Sequence, residues 1–506
     1  MVDFKRLDWF LITVAIGSSL LGIIILYGGG SSGESLALKN LVWLFIGIII
    51  MFIFAFINYQ TIGSYTPIIY AIALLLLIFT LMPFIGTKVK GARSWIRFFG
   101  FGFQPAEIMK LALVIVLSKY LTFRENEIEK FKELFIPFII TIFPILLIVA
   151  QPDLGYALLL LPVLMLLLFI GGANVSILIG LSLIGFIAIF VPMYIEYHKY
   201  ILNDEIYLAL RDDHFRIADA IKILNFEIWS YLDSPKTFIS KNSSTYIDWA
   251  VKTLAKPENL KILNQTVALV KKSNPIFLRD FFANNIALII TFTVSSLGYI
   301  TSFFLYFLTR KSKFKSLSSF LLIIALAFAA TFSFQKFIKL KPHQVIRVVS
   351  FANPEKFRKG AGYQLRHSLI TLGSGQATGK GWSKGDMTKG KVPFLPEWYN
   401  DFIFSVIGEQ FGFVGTLLTL FFMFGLVIRG AFIALQSKDY FGSLLAAGIT
   451  ALFFLHFVIN IGINLGLVPV TGLPLPFVSH GGSSMILNFV ALGILLNINL
   501  RRFINA

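Results

Sequence analysis

Long apolar runs recur along the chain, separated by short polar stretches. A membrane-spanning helix needs about 20 predominantly apolar residues. Runs of that kind lie near 8–27, 40–58, 66–86, 105–122, 134–150, 154–172, 174–195, 284–308, 319–338, 402–430, 440–466 and 483–502. They predict an all-α polytopic membrane protein with about twelve transmembrane helices. Three stretches break the pattern: a short basic loop at 87–104, a long insertion at 196–283, and a long Gly-rich basic loop at 339–401. The insertion has mixed charge and amphipathic helical texture, as in DWAVKTLAKPENLKIL. The predicted organisation is therefore N-terminal membrane helices in 1–195, an extracytoplasmic insertion in 196–283, further membrane helices in 284–338, a large extracytoplasmic loop in 339–401 and C-terminal membrane helices in 402–506. The opening MVDFKRLDWF runs into the first apolar stretch without a small-residue cleavage site, which reads as a retained first helix.

Composition agrees. Of 506 residues, 57% are hydrophobic and only 14% charged, against about 25% charged in an ordinary globular protein. The net charge of +18 would suggest nucleic acid in a soluble chain. Here the spans exclude a soluble nucleic-acid binder, and the charge fits basic cytoplasmic loops and anionic membrane lipid. There is no cysteine, so disulfides, thiolate metal sites and cysteine nucleophiles are excluded.

Lysine and arginine set the orientation. Lys5 and Arg6 precede the first span, Arg310, Lys311, Lys313 and Lys315 crowd one short loop, Arg429 and Lys438 flank another, and Arg501 and Arg502 lie near the C-terminus. With twelve spans and both termini cytoplasmic, all of these fall inside. The basic segments 87–104, with Arg93 and Arg97, and 339–401, with Arg347 and Arg366, then fall outside. Solvation or contact with lipid phosphates is the plain explanation of their charge. A polyanionic ligand such as a pyrophosphate is the sharper one, since Arg and Lys match phosphate oxygens.

Ionisable groups within or beside spans default to functional hypotheses. In Gln104-Pro105-Ala106-Glu107-Ile108-Met109-Lys110, Pro105 suits a helix's first turn, and Glu107 and Lys110 share a face where they can pair. In Gln151-Pro152-Asp153, Asp153 reads first as an N-cap of the following helix. In Leu395-Pro396-Glu397-Trp398-Tyr399-Asn400-Asp401, Asp401 opens an apolar span at the interface. It could cap that helix, or, partly desolvated, act as a general base; both roles stay open. The stretch GSGQATGKG looks superficially like a phosphate-binding loop, but its spacing and context fail that template. The Pro/Gly-rich segment 469–484 must be buried or line a cavity at membrane depth, with Ser479 and His480 as lining residues. Asp212, Asp213 and His214 in the insertion read as a solvated helix face rather than a metal site.

Five segments together resemble the SEDS family (shape, elongation, division, sporulation): GARSWI with FGFQPAEIMKLAL, AQPDLGYALLL, FANPEKFRKGAGYQLRHSLITLGSGQATGKGW, FLPEWYNDFIFSVIGEQFGFVG, and INIGINLGLVPVTGLPLPFVSHGGSS. They occur in family order, and GKGWSKG is similar to the rod-shape branch rather than the division branch. The resemblance implies a ten-helix core, here with about two added spans. It implies a peptidoglycan glycosyltransferase that polymerises lipid II, with a class B penicillin-binding protein as cross-linking partner, in the bacterial cytoplasmic membrane. It maps the family's essential carboxylate onto Asp401 and its Glu/Lys pair onto Glu107 and Lys110, and draws Gln364 into the substrate-binding set. The sequence departs from the family where the usual His-Thr before the aspartate is Tyr399-Asn400, and where the usual Tyr is His480.

The expected chemistry is direct displacement at the anomeric carbon. Asp401 takes the acceptor proton, while Arg93, Arg97, Arg347 and Arg366 offset the charge of the departing diphosphate. A divalent cation, Mg or Mn, could share that load; no organic cofactor is expected. Glu107 and Lys110 would position substrate or metal. The rival readings are a lipid II flippase, a division-specific paralogue and a non-catalytic scaffold. A flippase should carry polar groups through the midplane, whereas here they gather near one surface.

Overall fold

The computed structural model describes residues 6–29, 31–89, 92–98, 101–211, 256–259, 261–262, 264–265, 285–309, 312–337, 347, 350–351, 361–386 and 394–502. The elements run α1 (Trp9–Tyr27), α2 (Ser31–Phe56), α3 (Tyr59–Ser64), α4 (Thr66–Leu81), β1 (Gly86–Val89), β2 (Ala92–Phe98), β3 (Phe101–Phe103), α5 (Pro105–Phe123), α6 (Phe135–Ala150), α7 (Leu154–Ile170), α8 (Val175–Arg211), α9 (Asn285–Thr309), α10 (Ser312–Phe337), α11 (Ala361–Ser374), α12 (Ile403–Leu435), α13 (Tyr440–Asn464) and α14 (Gly482–Arg501). Every predicted apolar run coincides with a helix. Among the described residues, 8 helices are long and apolar enough to cross a membrane. α2 begins at Ser31 rather than near 40, because Glu34 in the first turn suits the positive end of a helix. α8 continues past 195 to Arg211 for 37 residues, well beyond the roughly 20 that a span needs.

The chain forms two compact units, Met1–Leu178 with Gln364–Ala506, and Ile179–Tyr363. In the second, α9 packs along α10, and Gly180 of α8 lies close to Ile323 of α10. The first unit has α13 and α14 at its centre, with 78% and 83% of their spanning windows buried, against 28% for α2. Outer helices turn Phe45, Ile68, Val414 and Phe421 outward, which suits hydrocarbon as the surrounding solvent. One end of this unit is fastened by side-chain caps. Asp8 accepts from Leu11 N (3.1 Å) and pairs with Arg429. Asp439 accepts from Gly442 N (2.8 Å) and from Tyr59 Oη.

Two features of the opposite end were not foreseen. The basic segment at 87–104 contributes to a three-stranded antiparallel sheet, order β1-β2-β3, rather than a loop. Period-two alternation explains it: Ser94 and Ile96 are buried while Arg97, on the other face, is exposed. The second is a break in α12 at Gly412 (φ 64°, ψ −156°). A break in a membrane helix leaves backbone groups unpaired unless something else binds them. Here residues 376–381 do so. Lys380 N and Gly381 N donate to the Glu409 and Gln410 carbonyls (2.9 and 3.0 Å), and Phe413 N and Val414 N donate to the Gln376 and Ala377 carbonyls (2.8 and 3.2 Å). Gly379 permits the close approach, since a Cβ there would lie 2.2 Å from the Gln410 carbonyl oxygen. The GSGQATGKG stretch is a splint for α12.

Candidate active site

The first half of the site is built on the opening of α5. Gln104 is extended and Pro105 occupies the first turn, as expected. Glu107 and Lys110 are both buried, at 1% and 5% exposure, and Lys110 Nζ lies 2.6 Å from Glu107 Oε2. The Tyr156 hydroxyl of α7 donates to Glu107 Oε1, and Lys110 Nζ also lies 3.2 Å from Nε2 of His456 on α13. A buried charge needs a partner, and these groups form a charge-balanced cluster. Asp153 corrects the sequence reading. It occupies the N-cap position of α7 but makes no side-chain cap bond. Its Oδ2 accepts instead from Gln104 Nε2 at 2.5 Å, tying the starts of α5 and α7 together.

The second half is the turn before α12. Trp398 is buried and anchors it; Gly29 leaves room for the indole, since a Cβ there would approach Trp398 Cη2 to 2.2 Å. Glu397 bends the chain at φ 60°, and Asn400 N donates back to the Glu397 carbonyl (3.0 Å). Three successive carbonyls are then clamped. Tyr399 O accepts from His480 N (2.9 Å), and Asn400 O accepts from Ser479 Oγ (2.5 Å). Asp401 O accepts from the side-chain amides of Asn460 (3.1 Å) and Asn464 (2.8 Å) on α13. Asp401 does not cap α12: the N-cap residue is Phe402, without a side-chain cap bond. Asn464 explains why. Its Oδ1 accepts from Ser405 N (2.9 Å) and Ser405 Oγ (2.7 Å), supplying the acceptor that the helix start requires. The Asp401 carboxylate, partly buried, lies against Gly472, where a Cβ would stand 3.9 Å from Oδ2.

Segment 469–481 joins the halves. Asn460 Nδ2 donates to the Leu473 carbonyl at 2.8 Å, and Gly155 sits against the Thr471 carbonyl, which a Cβ would meet at 2.4 Å. Ser479 and His480 act on the Asp401 turn through its backbone. His480 Nδ1 lies 2.7 Å from Asn40 Oδ1, an acceptor, so Nδ1 carries the proton. Burial, with a smaller contribution from Lys39, pushes its imidazole down to about 4. Burial and the nearby Asp401 charge raise the Tyr399 phenol. Two of the three positions that depart from the family pattern touch: the Tyr399 and His480 rings meet edge to face at 6.0 Å and 77°.

The other sequence-selected residues are dispersed. Arg93 faces the end of α4, where Nη1 donates to the Leu81 carbonyl (3.4 Å), and so supports a helix terminus. Arg97 is exposed on β2. Gln364 is half-buried and Arg366 exposed on α11, whose Ser368 Oγ reaches Ser405 Oγ (2.7 Å). Arg347 lies in the second unit. Among the described residues no group of three or more His, Asp or Glu side chains could hold a metal ion, and Glu107 is engaged at both oxygens. His456, Asn460 and Asn464 were missed. Their signal was legible: three polar residues at one-turn spacing on an otherwise apolar helix.

The family model for cell cycle proteins of the FtsW/RodA/SpoVE type matches residues 7–210 and 261–503. The chain is 28% identical over 507 aligned positions to the peptidoglycan glycosyltransferase RodA of Treponema pallidum, covering 98% of each. It is 40% identical over 166 positions to the peptidoglycan glycosyltransferase MrdB of Escherichia coli, covering 33% of this chain and 44% of that one. The fold is similar to that of the rod-shape-determining protein RodA of Thermus thermophilus (TM-score 0.52, 19% identity, 98% of each chain). It also resembles a chain from a structure described as coordinating polymerization and crosslinking by a peptidoglycan synthase complex (TM-score 0.58, 21% identity, 98% of each chain).

Proposed function

The chain belongs to the FtsW/RodA/SpoVE family of cell cycle proteins, and on that basis we propose that it is a peptidoglycan glycosyltransferase of the elongation branch. It polymerises lipid II at the outer face of the bacterial cytoplasmic membrane. The GKGWSKG stretch, similar to the rod-shape branch, supports the elongation role over division.

The acceptor sugar hydroxyl attacks the anomeric carbon of the donor. The carbon–oxygen bond to the pyrophosphate breaks, the bonding pair leaves with the pyrophosphate, and Asp401 receives the hydroxyl proton. The observation that carries this assignment is the clamp on the Asp401 carbonyl by Asn460 and Asn464, combined with the Ser405 N to Asn464 bond that releases the carboxylate from capping duty. Positioned general bases contribute roughly 10²–10⁴-fold. Arg97 and Arg366, both exposed, are available to the diphosphate. Arg93 supports the end of α4. No step is routed through a metal. The chemistry of a strand polymerase calls for a cross-linking partner, a class B penicillin-binding protein.

The test is polymerisation of labelled lipid II by the purified protein, with and without such a partner. Asp401→Ala and Asp401→Asn should each lower the rate at least 100-fold while remaining folded in detergent. Wild-type rates from both would remove Asp401 from the mechanism. Lipid II scrambling in liposomes without any polymer would favour a flippase.

A further inference from the structure

His456 is buried at 2% exposure, beside both halves of the site, and the displacement chemistry leaves it unused. We infer that His456 is a positioning residue, a neutral imidazole that aims the Lys110 ammonium and couples it to the segment lying against Asp401. The proposal rests on the reading of Asp401 as the centre of the reaction.

The hydrogen bonds fix the tautomer. Nε2 lies 3.2 Å from Lys110 Nζ. An ammonium has only N–H groups to offer, so Nε2 accepts. An imidazole that accepts at Nε2 carries its proton on Nδ1 and is neutral. The Pro474 backbone lies near the ring; proline has no N–H, so only its carbonyl faces the ring as a polar partner. Lys110 has three N–H groups. Glu107 Oε2 at 2.6 Å and His456 Nε2 at 3.2 Å constrain the ammonium from two sides.

The same helix face holds the other half. His456, Asn460 and Asn464 follow at successive turns of α13. Asn460 holds both the Leu473 and the Asp401 carbonyls, and Pro474, the next residue of that segment, lies near the His456 ring. A continuous path therefore runs from Glu107 through Lys110, His456 and Pro474 to Gly472 beside the Asp401 carboxylate. The Tyr156 ring packs on the imidazole at 6.3 Å and 62°, holding its plane from the α7 side.

Two variants separate positioning from mere packing. His456→Phe keeps an aromatic ring of similar size and loses both polar contacts. His456→Gln can accept from Lys110 with its oxygen and donate to Pro474 with its amide nitrogen. Lipid II polymerisation is measured for each, together with detergent unfolding midpoints and with Asp401→Asn in parallel. His456→Phe should lower kcat at least tenfold with KM for lipid II changed less than threefold. His456→Gln should recover kcat to within about threefold of wild type. His456→Phe at the wild-type rate overturns the proposal. If His456→Phe does not fold, His456→Gln decides alone: folded with near-wild-type kcat upholds it, and folded without polymer overturns it by making the imidazole itself indispensable. An active Asp401→Asn would defeat the general-base assignment independently of either His456 result.

Discussion

The two carboxylates of the site are held in opposite ways. Glu107 is enclosed and satisfied through its side chain by Lys110 and Tyr156. Asp401 is held through its main chain, with the carbonyl gripped by two asparagines and the carboxylate left partly exposed against a glycine. The difference teaches that burial of a charge beside a reaction centre does not identify the reacting group. Glu107 sits in an enclosed pair with a cation and a phenol, which holds it in its charged form. Asp401 has its backbone immobilised and its residue only partly buried, which is the arrangement the proposed general base requires.

The sharpest way to break this contrast is to remove a partner. Lys110→Met would strand the Glu107 charge in the interior and should destabilise the protein by about 3–5 kcal/mol, read from detergent or denaturant unfolding. Adding Glu107→Gln should restore part of that loss. Asp401→Asn should stay within about 0.5 kcal/mol of wild type while polymer disappears. Equal stability losses at the two sites would erase the distinction.

A second test uses pH. His480 is kept neutral in the fold, down to about 4, against an ordinary value of 6.5. Between those values the unfolded chain binds a proton that the folded one refuses. The contribution is therefore complete above pH 6.5 and is lost as pH falls toward 4, by about 3 kcal/mol at most. Unfolding midpoints from pH 7 to 4.5 should fall more steeply for wild type than for His480→Gln. Parallel curves would show that this imidazole does not contribute to acid sensitivity.

Asn464→Leu tests the clamp itself. It removes one of the two amides on the Asp401 carbonyl and the Asn464 acceptor of Ser405, and should cost about 1–2 kcal/mol, with a fall in kcat that Lys110 variants of equal stability do not reproduce. The smallest effect concerns the Tyr399–His480 contact. Tyr399→His and His480→Tyr should each reduce activity, and the double exchange, which restores the family's pair of rings, should recover it. The coupling expected of a ring pair is about 0.5–1.5 kcal/mol. Additive single effects would mean that the two rings act separately.

The helices were legible because each needs only a sustained apolar run, and the Glu107–Lys110 pair because one-turn spacing places both on one face. The sheet at 86–103 was not, since a short basic segment gives little apolar pattern and Arg93 acquires its role only from the end of α4. Asp153 and Asp401 both looked like caps because local spacing cannot reveal a stronger competitor. Gln104 takes the first, and Asn464 relieves the second. His456 stood in plain view within FFLHFVIN, but its partner Lys110 lies far away in the sequence, and only the packing of α13 on α5 joins them.

The break at Gly412 has a consequence for assembly. The stretch from Phe413 to Leu435 is by itself long enough to cross a bilayer, which takes about 20 residues. It can enter the membrane as an ordinary span, with Ile403–Phe411 still outside the hydrocarbon. That leading segment would expose unpaired carbonyls and N–H groups to lipid until residues 376–381 lie alongside. Residues 376–381 are therefore part of what holds the segment directly following Asp401 in place.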